Sequence, residues 1–315
     1  MVDKSKPRIC PADAAGVALA AQVLRDGGLV AVPTETVYGL AARADSDEAV
    51  ASIYRAKGRP DFNPLIVHVP SLEQAEQLAQ FDECARKVAA EFWPGPLTLV
   101  LPKQPEARLA SAVTAGLPTV ALRCPAHPAM HELLQATGLA LAAPSANRSG
   151  AVSPTLAQHV AASLGNKVDL ILDGGPCVAG IESTILALRD NGQWQILRPG
   201  PVTEAQISAI LGGRSGVATS HGIEAPGQLA SHYAPGKPMR LMALLADADE
   251  FHIGFGPVAG DFNLSAKGDA AEAASRLYSA LHLASEAAQP RIAVAPVPGS
   301  GIAEAIRDRL GRAAA

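Results

Sequence analysis

The sequence predicts an α/β protein, with a larger domain on a mixed sheet flanked by helices and a smaller α/β unit behind it. Short apolar runs alternate with amphipathic helical stretches over the first two-thirds of the chain, the pattern of strands and covering helices. The texture changes at Gly212 to Pro238, which is rich in Gly, Ser, Ala and Pro with almost no apolar periodicity and reads as a linker. A length of 315 residues, 48% of them hydrophobic, is enough for two cores.

In chain order, Val17, Ala20, Val23 and Leu24 form the apolar stripe of a first helix closed by Gly27-Gly28, and Leu29 to Pro33 reads as a buried strand. Ser46 can cap the next helix, which runs towards Gly58. Strands are expected at Leu65 to Val69, Leu97 to Leu101, Thr119 to Arg123, Leu139 to Ala143 and Val168 to Leu172. Helices are expected at Ser71 to Gln80, Asp82 to Phe92, Ala129 to Thr137, Leu156 to Leu164 and Glu204 to Leu211. Ser183 to Leu188 and Trp194 to Leu197 read as a hairpin, because Asn191-Gly192 suits a turn whose central residues need positive φ. Beyond the linker, Met239 to Leu245, a long helix from about Ala270 to Ala288, the strand Arg291 to Ala295 and a helix from Ile302 to Arg312 make the second unit.

Composition excludes several classes. Cys10, Cys84, Cys124 and Cys177 are scattered without metal-binding spacing, so neither a disulfide framework nor a zinc site is supported. No run of about 18 apolar residues appears and Met1 to Pro7 lacks a signal peptide's apolar core, so a cytoplasmic protein without membrane contact is expected. A net charge of -4 argues against a chain basic all over, although a local basic patch could still meet RNA. A P-loop is absent, and Gly299-Ser300-Gly301 has Glu304 where a dinucleotide fingerprint needs its third glycine.

What stands out is a set of polar clusters at strand ends, where an open α/β sheet collects ligands. "PTETVYGLAARA" (33–44) crowds Thr34, Glu35, Thr36 and Tyr38 at the end of the first strand. "RAKGRPDFNPLIVH" (55–68) places Arg55, Lys57 and Arg59 at a helix end. Cations there gain only about 0.3–1 kcal/mol each, but the Gly58/Pro60 and Asn63-Pro64 framing holds them stiffly, which suits a polyphosphate. His68 on its strand reads more readily as a satisfied core histidine than as a ligand. Arg123 ends an apolar strand, where a guanidinium needs an anion, either a structural carboxylate or a substrate's. "APSANRSGAVSP" offers Ser145, Asn147, Ser149 and Ser153 as a phosphate cradle or as a capped polar loop. "GGPCVAGIESTI", "LRPGP" and "SHYAPG" add Glu182, Ser183, Arg198 and Tyr233. No serine is spaced to pair with a particular histidine, so the inventory suits phosphoryl or nucleotidyl transfer by positioning and charge.

These clusters, in this order, closely resemble the YrdC-like family of L-threonylcarbamoyl-AMP synthases. The matching segments are "PTETVYGL", "KGRP" with "NPLIVH", "FWPGPLTLVL", "TAGLPTVALRCPAHP", "APSANRSG", "IESTI", "LRPGP" and "SHYAPG", spread over about residues 10 to 240. The "SHYAPG" linker and the unit after it resemble the longer, two-domain branch. The resemblance implies a YrdC-like catalytic domain at 1–211 with a twisted mixed sheet, a linker at 212–238 that covers the active site, and a small C-terminal Rossmann-like α/β domain at 239–315.

It further implies that ATP, bicarbonate and L-threonine are joined to give threonylcarbamoyl-adenylate and pyrophosphate, with magnesium accompanying ATP. Downstream proteins would then transfer the threonylcarbamoyl group to tRNA, with a weak direct tRNA contact possible. Carried over to this sequence, Thr36, His68, Arg123, Ala143 and Ser183 are expected on threonine, with Arg123 on its carboxylate. Arg59, Asn63, Thr119, Ser145, Ser153, Arg198 and Tyr233 are expected on ATP, with Lys57 and Asn147 near the phosphates and Lys57 and Arg59 stabilising the leaving group. Ala41 stands where many members have glycine. Two other readings remain, an RNA-binding module without catalysis, disfavoured by 4% aromatic content, and a related ATP-dependent carbamate adenylyltransferase.

Overall fold

The computed structural model describes residues 7–59, 63–189, 193–213, 216, 224–228 and 232–315. Pro60, the Asn191-Gly192 turn and part of the 212–238 stretch, Ser231 included, lie outside the described residues.

Ten strands build the large sheet: β1 (Ile9–Pro11), β2 (Val30–Val32), β3 (Gly39–Arg43), β4 (Ile66–His68), β5 (Leu97–Pro102), β6 (Thr119–Arg123), β7 (Leu141–Ala142), β8 (Leu170–Asp173), β9 (Thr184–Leu188) and β10 (Trp194–Arg198). Their order is β1-β8-β2-β3-β7-β4-β6-β5-β9-β10. The sheet is mixed: β1, β2 and β8 pair in parallel, as do β4 with β6 and β5 with β9, while β3 runs antiparallel to both neighbours.

β1 and β3 lie outside the strand-like runs of the sequence. Gly39-Leu40-Ala41-Ala42 has small residues buried on both faces, so it shows neither alternation nor β-branched enrichment. The chain reaches β3 through a tight turn in which the Thr34 hydroxyl accepts from the Thr36 and Val37 amides and bonds the Val37 carbonyl at 2.7 Å. That turn leaves Thr34 and Thr36 facing the space above the strand ends. The helix expected at Ser71 to Gln80 is shorter, Leu72–Glu76, because the chain then turns and Ala79 bridges to Lys103.

Helices cover both faces. Val30 and Val32 of β2 point to one side with Leu141, Leu170 and Leu172, against Val17, Ala20 and Leu24 of α1 (Ala14–Arg25) and Met130, Leu133 and Leu134 of the helix at Pro128–Thr137. Ala31, Leu40 and Ala42 face the other way, against Val50, Ile53 and Tyr54 of α2 (Asp47–Lys57). Each leucine or valine so buried contributes about 1.5–3 kcal/mol relative to exposure. Ser46 caps α2 by accepting from the Ala49 amide, and Gly58 ends it at φ 60°, a left-handed conformation that glycine takes without strain. Arg59 therefore leaves the helix turned towards the strand ends.

The C-terminal unit is a parallel four-stranded sheet of order β11-β14-β12-β13: β11 (Met239–Arg240), β12 (Glu250–Gly254), β13 (Phe262–Asn263) and β14 (Arg291–Val294). α9 (Ala270–Glu286) and α10 (Ile302–Ala313) pack on it through Leu277, Leu281, Ile306 and Leu310. This core is continuous with Val37, Val152, Ile181 and Tyr233, so the two sheets share one apolar seam. At that seam Gly180, at φ 70°, lets the larger domain approach α9 so closely that a Cβ there would lie 2.4 Å from Ser275 Cα.

Candidate active site

Above the ends of β2, β4, β6 and β9 lies a cavity of about 50 Å³. Thr36, His68, Arg123, Ala143, Ser183, Arg59, Ser145, Arg198 and Tyr233, all expected from the sequence, line it. Its roof comes from Pro226, Gly227, His232 and Tyr233. Small-molecule pockets usually offer about 300–1,000 Å³, and this cavity is smaller.

The first wall is built on Arg123. Its guanidinium, 4% exposed, donates from Nε to the Gly95 carbonyl at 3.2 Å, from Nη1 to Thr36 Oγ1 at 2.9 Å and from Nη2 to Glu35 Oε1 at 2.6 Å. The question the sequence left open is answered in part: a structural carboxylate does pair with Arg123, and Glu35 is itself anchored by the Ala126 amide. A guanidinium has five N–H groups, so those three bonds leave two that no described residue takes. Tyr38 braces the wall from behind, donating to the Gly175 carbonyl at 2.8 Å.

The second wall is cationic. Arg59 bonds the Asn63 and Pro64 carbonyls, and burial draws its pKa down to about 10, which still leaves it charged. Lys57 stands behind the lining, donating to the carbonyls of Ser145 at 2.5 Å and Asn147 at 2.6 Å. Burial, then the neighbouring Arg59, hold its pKa well below the usual lysine value. Lys57 thus ties the 145–147 loop to the end of α2. Asn147 donates to the Arg148 and Ala151 carbonyls, and its Oδ1, like Asn63 Oδ1 and His68 Nδ1, is buried without a hydrogen-bond partner among the described residues. Such orphaned atoms cost about 1–3 kcal/mol each. Thr119 is elsewhere: it opens β6 at the end opposite Arg123, about 13 Å along the strand, and does not line the cavity.

Glu182 is the cavity's carboxylate. Its Oε1 accepts from Ser153 Oγ at 2.6 Å, and its Oε2 from Tyr278 Oη at 2.7 Å and Arg309 Nε at 3.0 Å. Burial alone would push its pKa up, but Arg309, Arg198 and the two hydroxyl donors outweigh that and bring it down to about 2. Arg198 bonds the Ser183 carbonyl and hydroxyl, and Ser183 Oγ also meets Thr98 Oγ1 at 2.8 Å. Tyr233 sits at φ 65°, a left-handed conformation that costs a tyrosine about 1–3 kcal/mol. His232 at 4.1 Å and Tyr278 at 5.5 Å between ring centroids hold it there.

Sequence reasoning placed Thr34 and Glu182 in polar clusters but gave them no role, and missed His232, Tyr278 and Arg309. A single glutamate after "GGPCVAGI" was a usable signal. Tyr278 and Arg309 sit in helices that read as ordinary amphipathic elements, and only the packing of the two units brings them to Glu182.

Among the described residues no cluster of His, Cys, Asp and Glu could hold a metal, and Glu182 is fully engaged with three donors. The lining is cationic, so these residues do not fit a protein-held magnesium ion.

Two cavity histidines predict a pH response. Burial, and for His68 also Arg123, bring His68 and His232 down to about 3 from an ordinary 6.5. Both are neutral in the fold, so their contribution is complete above pH 6.5 and is lost as the pH falls from there towards 3. Denaturant midpoints should drop between pH 7 and pH 5, and His68→Gln should shrink that drop by about 1–2 kcal/mol. An unchanged drop in the variant would show that His68 is not the group taking up the proton.

The comparisons agree with this geometry. The family model described as "Telomere recombination" matches residues 22–200, and the one described as "Threonylcarbamoyl-AMP synthase, C-terminal domain" matches residues 202–315. The threonylcarbamoyl-AMP synthase of Bacillus subtilis is 40% identical over 325 residues, covering 95% of this chain and 92% of its own. That of Pyrococcus abyssi is 46% identical over 231 residues, covering 70% of this chain and 65% of its own. The crystal structure of P. abyssi Sua5 complexed with L-threonine superposes with a TM-score of 0.88 at 34% identity, covering 98% of this chain and 97% of that one.

Proposed function

The chain belongs to the threonylcarbamoyl-AMP synthase family, and from that premise we propose how its residues perform the reaction. The enzyme is a nucleotidyltransferase that makes threonylcarbamoyl-AMP and pyrophosphate from L-threonine, bicarbonate and ATP, for threonylcarbamoyladenosine formation in tRNA. The observation that carries the residue assignment is the lining itself: Arg123, with two N–H groups left over, and the cations Arg59 and Arg198 face one cavity.

The threonine carboxylate takes the two remaining N–H groups of Arg123, with Thr36 and Ser183 beside it, Ala143 leaving room and neutral His68 closing the wall. The amine, unprotonated, attacks the carbonyl carbon of bicarbonate; loss of water leaves a carbamate. A carbamate oxygen then attacks the α-phosphorus of ATP while the bond to the bridging oxygen breaks, and pyrophosphate leaves with that bond's electrons. Arg59 and Arg198 neutralise the charge that develops on pyrophosphate, and Ser145 and Tyr233 fix the nucleotide; Ser153, expected on ATP, is buried outside the lining and acts through Glu182. Lys57, Asn63 and Asn147 hold the loops under the phosphates rather than lining the cavity. Magnesium belongs to the substrate, carried on the ATP phosphates.

No helix of the described residues is long and apolar enough to cross a membrane. We place the enzyme in the cytoplasm, where ATP, threonine and the tRNA-modifying proteins that consume its adenylate are found. The test is pyrophosphate release from ATP: it should require L-threonine and bicarbonate together, and release that ignores either would overturn the assignment.

A further inference from the structure

The carboxylate of the active site is gripped from the other domain. Both donors to Glu182 Oε2, Tyr278 Oη and Arg309 Nε, belong to α9 and α10 of the C-terminal unit. Arg309 is wholly buried, its Nη1 pairs with Asp308 at 2.7 Å, and its guanidinium carbon lies 5.6 Å from the Tyr233 ring centroid. One side chain thus touches the cavity's carboxylate and the aromatic of its roof.

Stability alone gives little reason for this arrangement. A buried ion pair gains little over a well-packed apolar substitute, because desolvation cancels most of the attraction. Arg309 also leaves Nη2 buried without a hydrogen-bond partner among the described residues, a further cost. What the contact does accomplish is orientation. Arg198 acts on Glu182 electrostatically, and with Arg59 it belongs to the cationic wall assigned above to the phosphates. A Glu182 released from the C-terminal unit would swing onto those cations and compete with a triphosphate for them.

We infer that Arg309 and Tyr278 are positioning residues for the ATP half of the site. Through Glu182 they keep Ser153 in place and the phosphate-binding cations unclaimed, and through Tyr233 Arg309 steadies the roof. The C-terminal domain thereby sets the affinity for ATP. This rests on the placement of ATP against Arg198 and Tyr233 given above.

The test compares Tyr278→Phe, Arg309→Lys and Arg309→Met by steady-state kinetics, by thermal melting and by calorimetric binding of a non-hydrolysable ATP analogue to the full chain. Arg309→Met should raise the KM for ATP and the analogue Kd about tenfold, Tyr278→Phe should raise them less, and Arg309→Lys should recover part of the loss. The KM for threonine should stay within about threefold in all three, which a general loosening of the fold would not produce. If Arg309→Met does not fold, the other two variants decide. Folded variants with wild-type ATP constants, or with threonine and ATP affected alike, would overturn the inference. The analogue Kd needs no turnover, so an enzyme that made no adenylate would sink the proposed reaction and still leave this inference testable.

Discussion

Arg123→Lys is expected to raise the KM for L-threonine about 100-fold or more, roughly 2.7 kcal/mol, while the Kd of an ATP analogue stays within about threefold. Arg123 is asked to do four things at once: hold the Gly95 carbonyl, Thr36 Oγ1 and Glu35, and still offer two parallel N–H groups to a carboxylate. A lysine ammonium has three donors and no fork, so it keeps the charge and loses the geometry. Keeping the charge also avoids stranding Glu35, which makes the variant a cleaner probe than alanine. Pyrophosphate release measured at varied threonine with saturating ATP gives the result. An equal rise in both constants would move Arg123 out of the threonine pocket and make it a purely structural partner of Glu35.

The second large effect is on stability. Glu182→Leu should cost about 3–5 kcal/mol, because it leaves the buried Arg309 with Asp308 as its one remaining carboxylate and removes the counter-charge of Arg198. Adding Arg309→Met should restore much of the loss, since an apolar pair of similar volume replaces a broken ionic one. Urea midpoints of the two single variants and the double variant measure the coupling. Independent, additive losses would mean that the two side chains do not depend on each other. The same pair predicts a pH effect of known sign. Glu182 is held down at about 2, so the stability it contributes is fully present above about pH 4.5 and disappears as the pH falls through 2. Glu182→Leu should lack that acid-side loss.

Much of the site was legible because its chemistry is local. Thr36, Arg59, Arg123, Ser145, Ser183 and Arg198 each stand in a short polar cluster near an apolar strand, where an α/β sheet collects ligands, and Tyr233 stands in a short motif of the linker. The strand order itself was hidden, since a ten-stranded mixed sheet in which β8 returns to lie between β1 and β2 is a long-range arrangement that no local pattern reports. β3 was hidden for a different reason: its small residues are buried on both faces and show no alternation. Lys57 shows how far residue type can mislead about geometry, since a lysine beside an arginine suggests a phosphate contact and its ammonium is instead taken up by two loop carbonyls. Arg309 was illegible because its meaning depends on Glu182, 127 residues earlier in the chain.

The central claim is that one site joins three substrates, and isotopic labelling tests it most directly. The enzyme is incubated with ATP, L-threonine and carbon-labelled bicarbonate, and the adenylate is read by mass spectrometry. An AMP adduct that contains threonine and carries the bicarbonate carbon, absent when any one substrate is omitted, is the result predicted here. An adduct of threonine and AMP without the label, or AMP and pyrophosphate formed without threonine, would contradict it.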